Sequence, residues 1–300
     1  DLDPDNTYTI GENVPAGWDL ISSSCTGTNS PGSITPNAGE SVTCTFTNQA
    51  DAFIVVDKVT DPAGDQTPFD FTTDYGSPFT LADTDTPNNS GDLPPGIYDV
   101  TEAAEPGWDP TGVNCVSSLG DPADTDGLDL DLDAGETITC TFTNQADAVI
   151  IVEKQTLPGG STQVFDFTAS YDGDGFALSD GQSNDSGDLP PGTYSVAETG
   201  ETDWDLTSAT CDDGSDPSSI GLVAGETVTC TFTNTQRGHL IVHKTTNPAA
   251  DPQVFDITAS GTGTITGGGA GTVTDALDED YEVTKGTDDV AETVTQGWEM

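Results

Sequence analysis

The sequence predicts an all-β fold, a tandem array of antiparallel β-sandwich modules of about 90–96 residues each. Three observations predict it. Trp18, Trp108, Trp204 and Trp298 recur at intervals of 90, 96 and 94 residues. The segments CTFTNQADAFIVVDK, CTFTNQADAVIIVEK and CTFTNTQRGHLIVHK copy one another, as do SGDLPPGIYDVTE and SGDLPPGTYSVAE. The apolar residues fall in short alternating runs, and no window of a dozen residues has helical periodicity. A period this long is a small domain, because roughly 90 residues can bury a core of their own. The repeat is cut out of phase. Residues 1–49 read as the C-terminal half of a module, 50–145 and 146–235 as complete modules, and 236–300 as the N-terminal part of a further one.

Each strand of module 50–145 follows from alternation between turn signals. Residues 53–59 put Ile54, Val56 and Lys58 on one face and Val55, Asp57 and Val59 on the other. A second strand lies in PFDFTTDY (68–75), matched by VFDFTASY (164–171) and VFDITASG (254–261). A third, IYDVTE (97–102), puts Tyr98, Val100 and Glu102 opposite Ile97, Asp99 and Thr101. The last, TITCTFTN (137–144), aligns Ile138, Cys140, Phe142 and Asn144, with threonines on its other face. DPAGD, TPNNSGDLPPG, EPGW and DAGE supply the turn chemistry between them.

Charge is one-sided: 53 acidic residues against five basic ones give a formal net charge of -48. A polyanion of this kind repels nucleic acid and anionic membrane surfaces. It suits a halophilic setting, where salt screens self-repulsion. No apolar stretch approaches the roughly 18–20 residues of a membrane span. The cysteines fall one pair to a repeat, Cys25/Cys44, Cys115/Cys140 and Cys211/Cys230, without C-x-x-C metal spacing. One pair per module predicts one intramodular disulfide and an oxidising, extracellular location.

Three of the five basic residues, Lys58, Lys154 and Lys244, occupy one repeat position at the end of an apolar strand. Glu102 and Asn144 likewise end apolar faces, and Glu198 and Asn234 repeat them. The lysine-to-glutamate spacing is 44 residues in both complete modules. The glutamate precedes the tryptophan by 6 in all four copies, and each asparagine precedes the next lysine by 10. Charge driven into a core is costly unless paired or neutralised. Desolvation makes a buried lysine a neutral nucleophile and keeps a buried carboxyl protonated, able to polarise an asparagine amide. The expected product is an isopeptide bond between the first and last strands, Lys58 to Asn144 and Lys154 to Asn234. The bland alternative is a half-buried Lys–Glu ion pair beside a turn-capping asparagine, an arrangement that contributes little stability.

With these residues the chain resembles the collagen-adhesin B-type, isopeptide-forming domains of bacterial surface proteins and pilins. The resemblance implies an Ig-like or transthyretin-like (prealbumin-like) sandwich in which a glutamate promotes Lys–Asn bonding. The segments YTIGENVPAGW, YDVTEAAEPGW and YSVAETGETDW put Glu12, Glu102 and Glu198 in that role. In 236–300, Asp288 stands where the tyrosine falls and Lys285 lies nearby, while Glu292 has the right spacing to Trp298. The cysteine pair is not a general feature of the family.

Other signals are weaker. Asp124 and Asp126 in DTDGLDLDLD, and Asp172 and Asp174 in YDGDGF, offer oxygen ligands that suit calcium, against solvated acidic loops. No cofactor is required. Asn88 and Asn184 open N-x-S glycosylation tripeptides, which copying of the repeat also explains. The tryptophans could stack on sugars or pack in a core or joint. No serine–histidine–acid set, nucleophile elbow or phosphate loop supports an enzyme with turnover.

The expected role is structural: a stalk, surface fibre or pilus-like filament subunit made stiff by short linkers. The alternative is an adhesin that binds a glycan or surface protein without covalent Lys–Asn crosslinks. The partial modules hold Glu12 with Asn48 and Lys244 with Glu292, so modules packed end to end, or copies of the chain, would complete them. Both parts carry a glutamate, which makes a longer continuous chain the simpler arrangement.

Overall fold

The computed structural model of the chain describes residues 2–4, 6–122 and 124–299. It divides into two compact units, Asp1–Asp147 and Ala148–Met300.

In the first unit, four strands form one sheet in the spatial order Asn88–Asn89, Phe53–Asp61, Thr137–Ala146, Trp108–Ser117. Phe53–Asp61 is the lysine strand and Thr137–Ala146 the asparagine strand. A second sheet runs Phe79–Leu81, Phe69–Thr73, Val100–Glu102. The inward residues of both sheets meet in one core, where Ile54, Val56, Phe69, Phe71, Val100, Cys140 and Phe142 are buried. Phe71 meets Phe142 edge to face at 5.1 Å. Half-buried and buried residues alternate from Phe53 to Thr60, as the sequence of the lysine strand predicts, and Asp61 at its end is exposed.

Two features refine the expected sandwich. The lysine and asparagine strands run parallel to each other, from Thr137 opposite Phe53 to Gln145 opposite Asp61. The predicted strand 97–102 divides at Asp99. Gly96–Tyr98 pairs with Leu130–Leu132, while Val100–Glu102 pairs with the Phe69–Thr73 strand. Asp99 Oδ1 accepts a hydrogen bond from the Asp129 backbone N–H at 2.8 Å, and its own N–H donates to Asp74 Oδ1 at 3.1 Å. The strand therefore crosses between sheets without losing its in–out alternation.

The first part of this unit contributes a two-stranded antiparallel pair, Trp18–Cys25 with Cys44–Ala50.

The second unit repeats the architecture. Val149–Leu157 is its lysine strand, parallel to the asparagine strand Thr227–Gln236, with Trp204–Cys211 and Ser183–Asp185 flanking them. Phe165–Ala169 lies between Asp172–Leu178 and Val196–Glu198 in the facing sheet. Phe167 meets Phe232 at 5.2 Å. Residues 236–300 pair Gly238–Val242 with Glu279–Val283, and Phe255–Gly261 with both Ala270–Val273 and Asp288–Glu292. Arg237, another of the five basic residues, donates to Asp205 Oδ1 at 2.6 Å and Glu282 Oε2 at 3.1 Å.

All six cysteines are paired as expected: Cys25–Cys44, Cys115–Cys140 and Cys211–Cys230. Each disulfide joins directly opposed residues of the tryptophan-bearing strand and the asparagine strand. It therefore ties a different strand pair from the one the lysine and asparagine share.

Candidate functional site

The lysine enters the core because alternation leaves it no other face. Parallel register sets Lys58 opposite Phe142 and Thr60 opposite Asn144, so Lys58 and Asn144 are diagonal neighbours on the inner face. The second module repeats this with Lys154 opposite Phe232 and Thr156 opposite Asn234. The glutamate arrives from the facing sheet in one register: Glu102 opposite Phe71, Glu198 opposite Phe167, Glu292 opposite Ile257. That shared register assigns Glu292 to the glutamate position, as its spacing to Trp298 predicts, and leaves Asp288 and Lys285 outside it.

The geometry is tightest in module 146–235. Lys154 Nζ donates to Asn234 Oδ1 at 2.9 Å, and Asn234 Nδ2 donates to Glu198 Oε1 at 2.5 Å. Glu198 Oε2 lies 3.6 Å from Nζ. One carboxyl thus touches the amine with one oxygen and the amide with the other. The Lys154 and Glu198 side chains are 0% and 1% exposed, so the pair is fully buried instead of half-buried. In module 50–145, Lys58 Nζ lies 3.4 Å from Glu102 Oε1, and Asn144 is 2% exposed. Here Nζ donates to Val59 O at 3.1 Å and Phe142 O at 3.4 Å.

Each amine also sits over a phenyl face, Lys58 on Phe69 at 4.1 Å and Lys154 on Phe165 at 4.2 Å. Trp108 meets Phe69 at 5.4 Å and Trp204 meets Phe165 at 5.5 Å, both edge to face. These tryptophans pack against the ring that covers the lysine, which accounts for their fixed distance from the glutamate.

Burial moves both titrating groups toward neutrality. Desolvation lowers the Lys58 and Lys154 pKa values, with the glutamates opposing it. Desolvation raises those of Glu102 and Glu198, with the lysines and asparagines opposing it. In module 146–235 an amine thus lies against an amide beside a carboxyl, with amine and carboxyl both pushed toward their neutral forms, an arrangement suited to aminolysis.

The partial modules hold the expected halves. Asn48 Nδ2 donates to Glu12 Oε1 at 2.7 Å, and Lys244 Nζ donates to Glu292 Oε2 at 2.6 Å. Lys244 stacks on Phe255 at 4.1 Å as its counterparts do.

Among the described residues, Asp124, Asp126, Asp172 and Asp174 belong to no cluster of three or more converging ligands. Asp124 Oδ1 accepts backbone N–H bonds from Asp126 and Gly127, and Asp172 Oδ1 accepts one from Asp174. The carboxylates that do converge among the described residues are Asp121, Asp133 and Glu136. Asn88 and Asn184 lie on edge strands paired with Val56 and Val152. The serine of each tripeptide supports the neighbouring lysine strand, since Ser90 Oγ and Ser186 Oγ accept the N–H of Ile54 and Ile150, at 3.0 and 2.9 Å.

Sequence reasoning missed one recurring element. Asp83, Asp180 and Asp275 each fasten the turn that follows the lysine strand. Asp180 accepts the N–H of Thr156 at 2.5 Å and of Gly160 at 2.6 Å. Asp275 does the same for Thr246, at 2.7 Å, and Ala250. Asp83 accepts from the Gly64 N–H and lies 2.9 Å from the Thr60 hydroxyl. The signals were there in VTDPAG, QTLPGG and TTNPAA, and in an aspartate two residues beyond Leu81, Leu178 and Val273.

Two family models, each described as a prealbumin-like fold domain, match the chain, one over residues 1–50 and 54–146 and the other over 146–232. No curated protein sequence matches it. Among solved structures, it aligns with the Bacillus anthracis TIE protein at 16% identity and TM-score 0.35, covering 86% of this chain and 49% of that one. It therefore spans about half the length of that protein. A major pilin of Streptococcus pyogenes aligns at 16% identity and TM-score 0.28, over 63% of this chain and 98% of the pilin. A C-terminal fragment of the pilus adhesin SpaC from Lactobacillus rhamnosus GG aligns at 16% identity and TM-score 0.24, over 62% and 97%.

Proposed function

The chain belongs to the prealbumin-like fold domain family, and from that premise we propose that it is part of an extracellular structural repeat protein, a surface fibre, stalk or filament subunit. Each complete module is closed by an isopeptide bond, Lys58–Asn144 and Lys154–Asn234, alongside its disulfide. The single observation that carries this proposal is the Lys154–Glu198–Asn234 contact: a fully buried amine on an amide oxygen, with one carboxyl touching both reacting groups.

The reaction balances within the site. The neutral Lys154 Nζ attacks Asn234 Cγ and forms the new C–N bond. Glu198 passes its proton to Nδ2 as the Cγ–Nδ2 bond breaks, and accepts the proton that Nζ releases. Amine and amide become a secondary amide and one ammonia, and the carboxyl returns to its starting state. The site acts once on itself, so this is maturation, not turnover. The acidic surface fits a setting of high salt, and neighbouring modules or copies of the chain are the partners expected end to end.

The test is the intact mass of the chain with its disulfides reduced. It is expected to fall short of the sequence mass by two ammonia molecules, one for each complete module, and a mass equal to the sequence value contradicts the proposal. Trp204 is buried and Trp108 partly buried where they pack against Phe165 and Phe69, which disfavours the sugar-stacking alternative at those two sites.

A pH dependence follows where the bond is blocked. In Glu198→Gln, Lys154 stays an amine without its counter-charge. Its folded pKa is lowered, so the folded state resists the proton that the unfolded chain takes up. The resulting cost is fully present below the folded pKa and vanishes as pH rises toward the ordinary lysine value of 10.5. Chemical denaturation should therefore find Glu198→Gln less stable at neutral pH than Lys154→Met/Glu198→Gln, with the gap closing in alkali. A gap independent of pH would show that Lys154 is not desolvated.

A further inference from the structure

The glutamate is not the only carboxylate connected to the lysine. In both complete modules Nζ donates to the carbonyl of the next residue, Val59 O at 3.1 Å and Gln155 O at 2.8 Å. In the second module the N–H of that same peptide, on Thr156, donates to Asp180 Oδ1 at 2.5 Å, whereas in the first Asp83 lies 2.9 Å from the Thr60 hydroxyl. In the second module one rigid amide plane thus joins the two groups, with the amine on its oxygen and the carboxylate on its N–H. The threonine hydroxyl locks the turn beyond it, donating to Pro62 O at 2.9 Å or Pro158 O at 3.0 Å. Both threonines are 3% exposed, so this hydrogen-bonded turn is built into the end of the core.

From this geometry we propose that Asp180 is a positioning residue for the crosslinking reaction, holding the peptide carbonyl that aims the Lys154 amine at Asn234. The inference rests on the crosslinking proposal and extends it to a group outside the Lys–Glu–Asn set. Two physical effects follow. A carboxylate on the N–H polarises the peptide and makes its oxygen a stronger acceptor for Nζ. The fastened turn also fixes the end of the lysine strand, so that the side chain reaches Asn234 from one direction, and small misplacements of a nucleophile are costly. The charged groups that act on Lys154 are Glu198 and Asp180, and both favour its ammonium form. The aspartate therefore orients the amine while holding its proton more firmly. Residues 236–300 keep the fastened turn through Asp275 and Thr246, with Lys244 directed to Glu292.

The experiment follows crosslinking in the whole chain. Protein held unfolded and reduced is diluted into oxidising refolding buffer over a pH series, quenched at intervals, and digested. Mass spectrometry then counts crosslinked and free Lys154–Asn234 and Lys58–Asn144 peptide pairs. Asp180→Asn keeps a neutral acceptor for the Thr156 N–H. It is expected to slow the Lys154 crosslink about tenfold to a hundredfold and to move its pH midpoint down, because the charge that favours ammonium is gone. Asp180→Ala is expected to slow it further.

Lys58–Asn144 in the same molecules, whose Asp83 is intact, should react at the parental rate. Counting only molecules with Cys211–Cys230 formed separates reaction from folding. Should Asp180→Ala not fold, Asp180→Asn decides. A parental rate and an unmoved midpoint in folded Asp180→Asn overturn the positioning role, since a merely structural turn would change only the folded fraction. Absence of either crosslink in the parent chain overturns the crosslinking proposal itself, and with it this one.

Discussion

A chain carrying Asn144→Ala is expected to lengthen by about 200–220 Å when module 50–145 is pulled open, whereas the parent module does not lengthen at all. Force enters this module at the start of the lysine strand and leaves at the end of the asparagine strand. A Lys58–Asn144 bond passes it across the sheet and shields everything between. Without that bond, 86 residues separate the two positions, the Cys115–Cys140 disulfide closes off 25, and 61 are free to extend. Module 146–235 gives the same length, since 80 residues separate Lys154 from Asn234 and its disulfide closes off 19. Single-molecule force spectroscopy reads this directly. Lengthening of the parent by the same step would mean that no bond joins the two strands. The disulfides do not substitute for it, because each ties the asparagine strand to the tryptophan-bearing strand and leaves the chain from the lysine to its first cysteine free to extend.

The second large effect is on stability. Glu198→Ala is expected to leave Lys154 and Asn234 unbonded, because losing the proton carrier slows the reaction by about 10²–10⁴-fold. Opening a closed loop of 61 residues releases chain entropy in the unfolded state worth about 4 kcal/mol. The unreacted lysine amine, buried and without a carboxyl partner, adds a further desolvation cost. Together these should lower the melting temperature of module 146–235 by more than about 20 °C. Differential scanning calorimetry should show one module melting early and the other unmoved. Coincident, unshifted transitions would mean that the module does not depend on the bond.

Much of the site could be read in the sequence because its members obey the period of a strand. Lys58 continues the inward set of Ile54 and Val56, Asn144 that of Cys140 and Phe142, and Glu102 that of Val100, so alternation alone put three polar groups in one core. Glu292 was legible through its spacing to Trp298, although the residues around it differ from the other copies.

Strand direction was not legible. Alternation is the same in a parallel and an antiparallel pair, so nothing in the two strand sequences says that Phe53–Asp61 and Thr137–Ala146 run the same way. The division of 97–102 at Asp99 was hidden for the same reason, since crossing between sheets preserves the in–out pattern. The aspartates that fasten the turns were obscured by composition. In a chain with 53 acidic residues, Asp83 stands 23 residues from the threonine it binds, and only the fold brings the two together.

The central claim is that a covalent bond joins the first and last strands of each complete module. It is tested most directly by crystallographic electron density between Lys154 Nζ and Asn234 Cγ. The account expects continuous planar density at an amide bond length of about 1.33 Å, with no atom left at the Nδ2 position. Two separate side chains, with Nζ held 2.9 Å from Oδ1 as a hydrogen-bond donor and the amide nitrogen still in place, would contradict it.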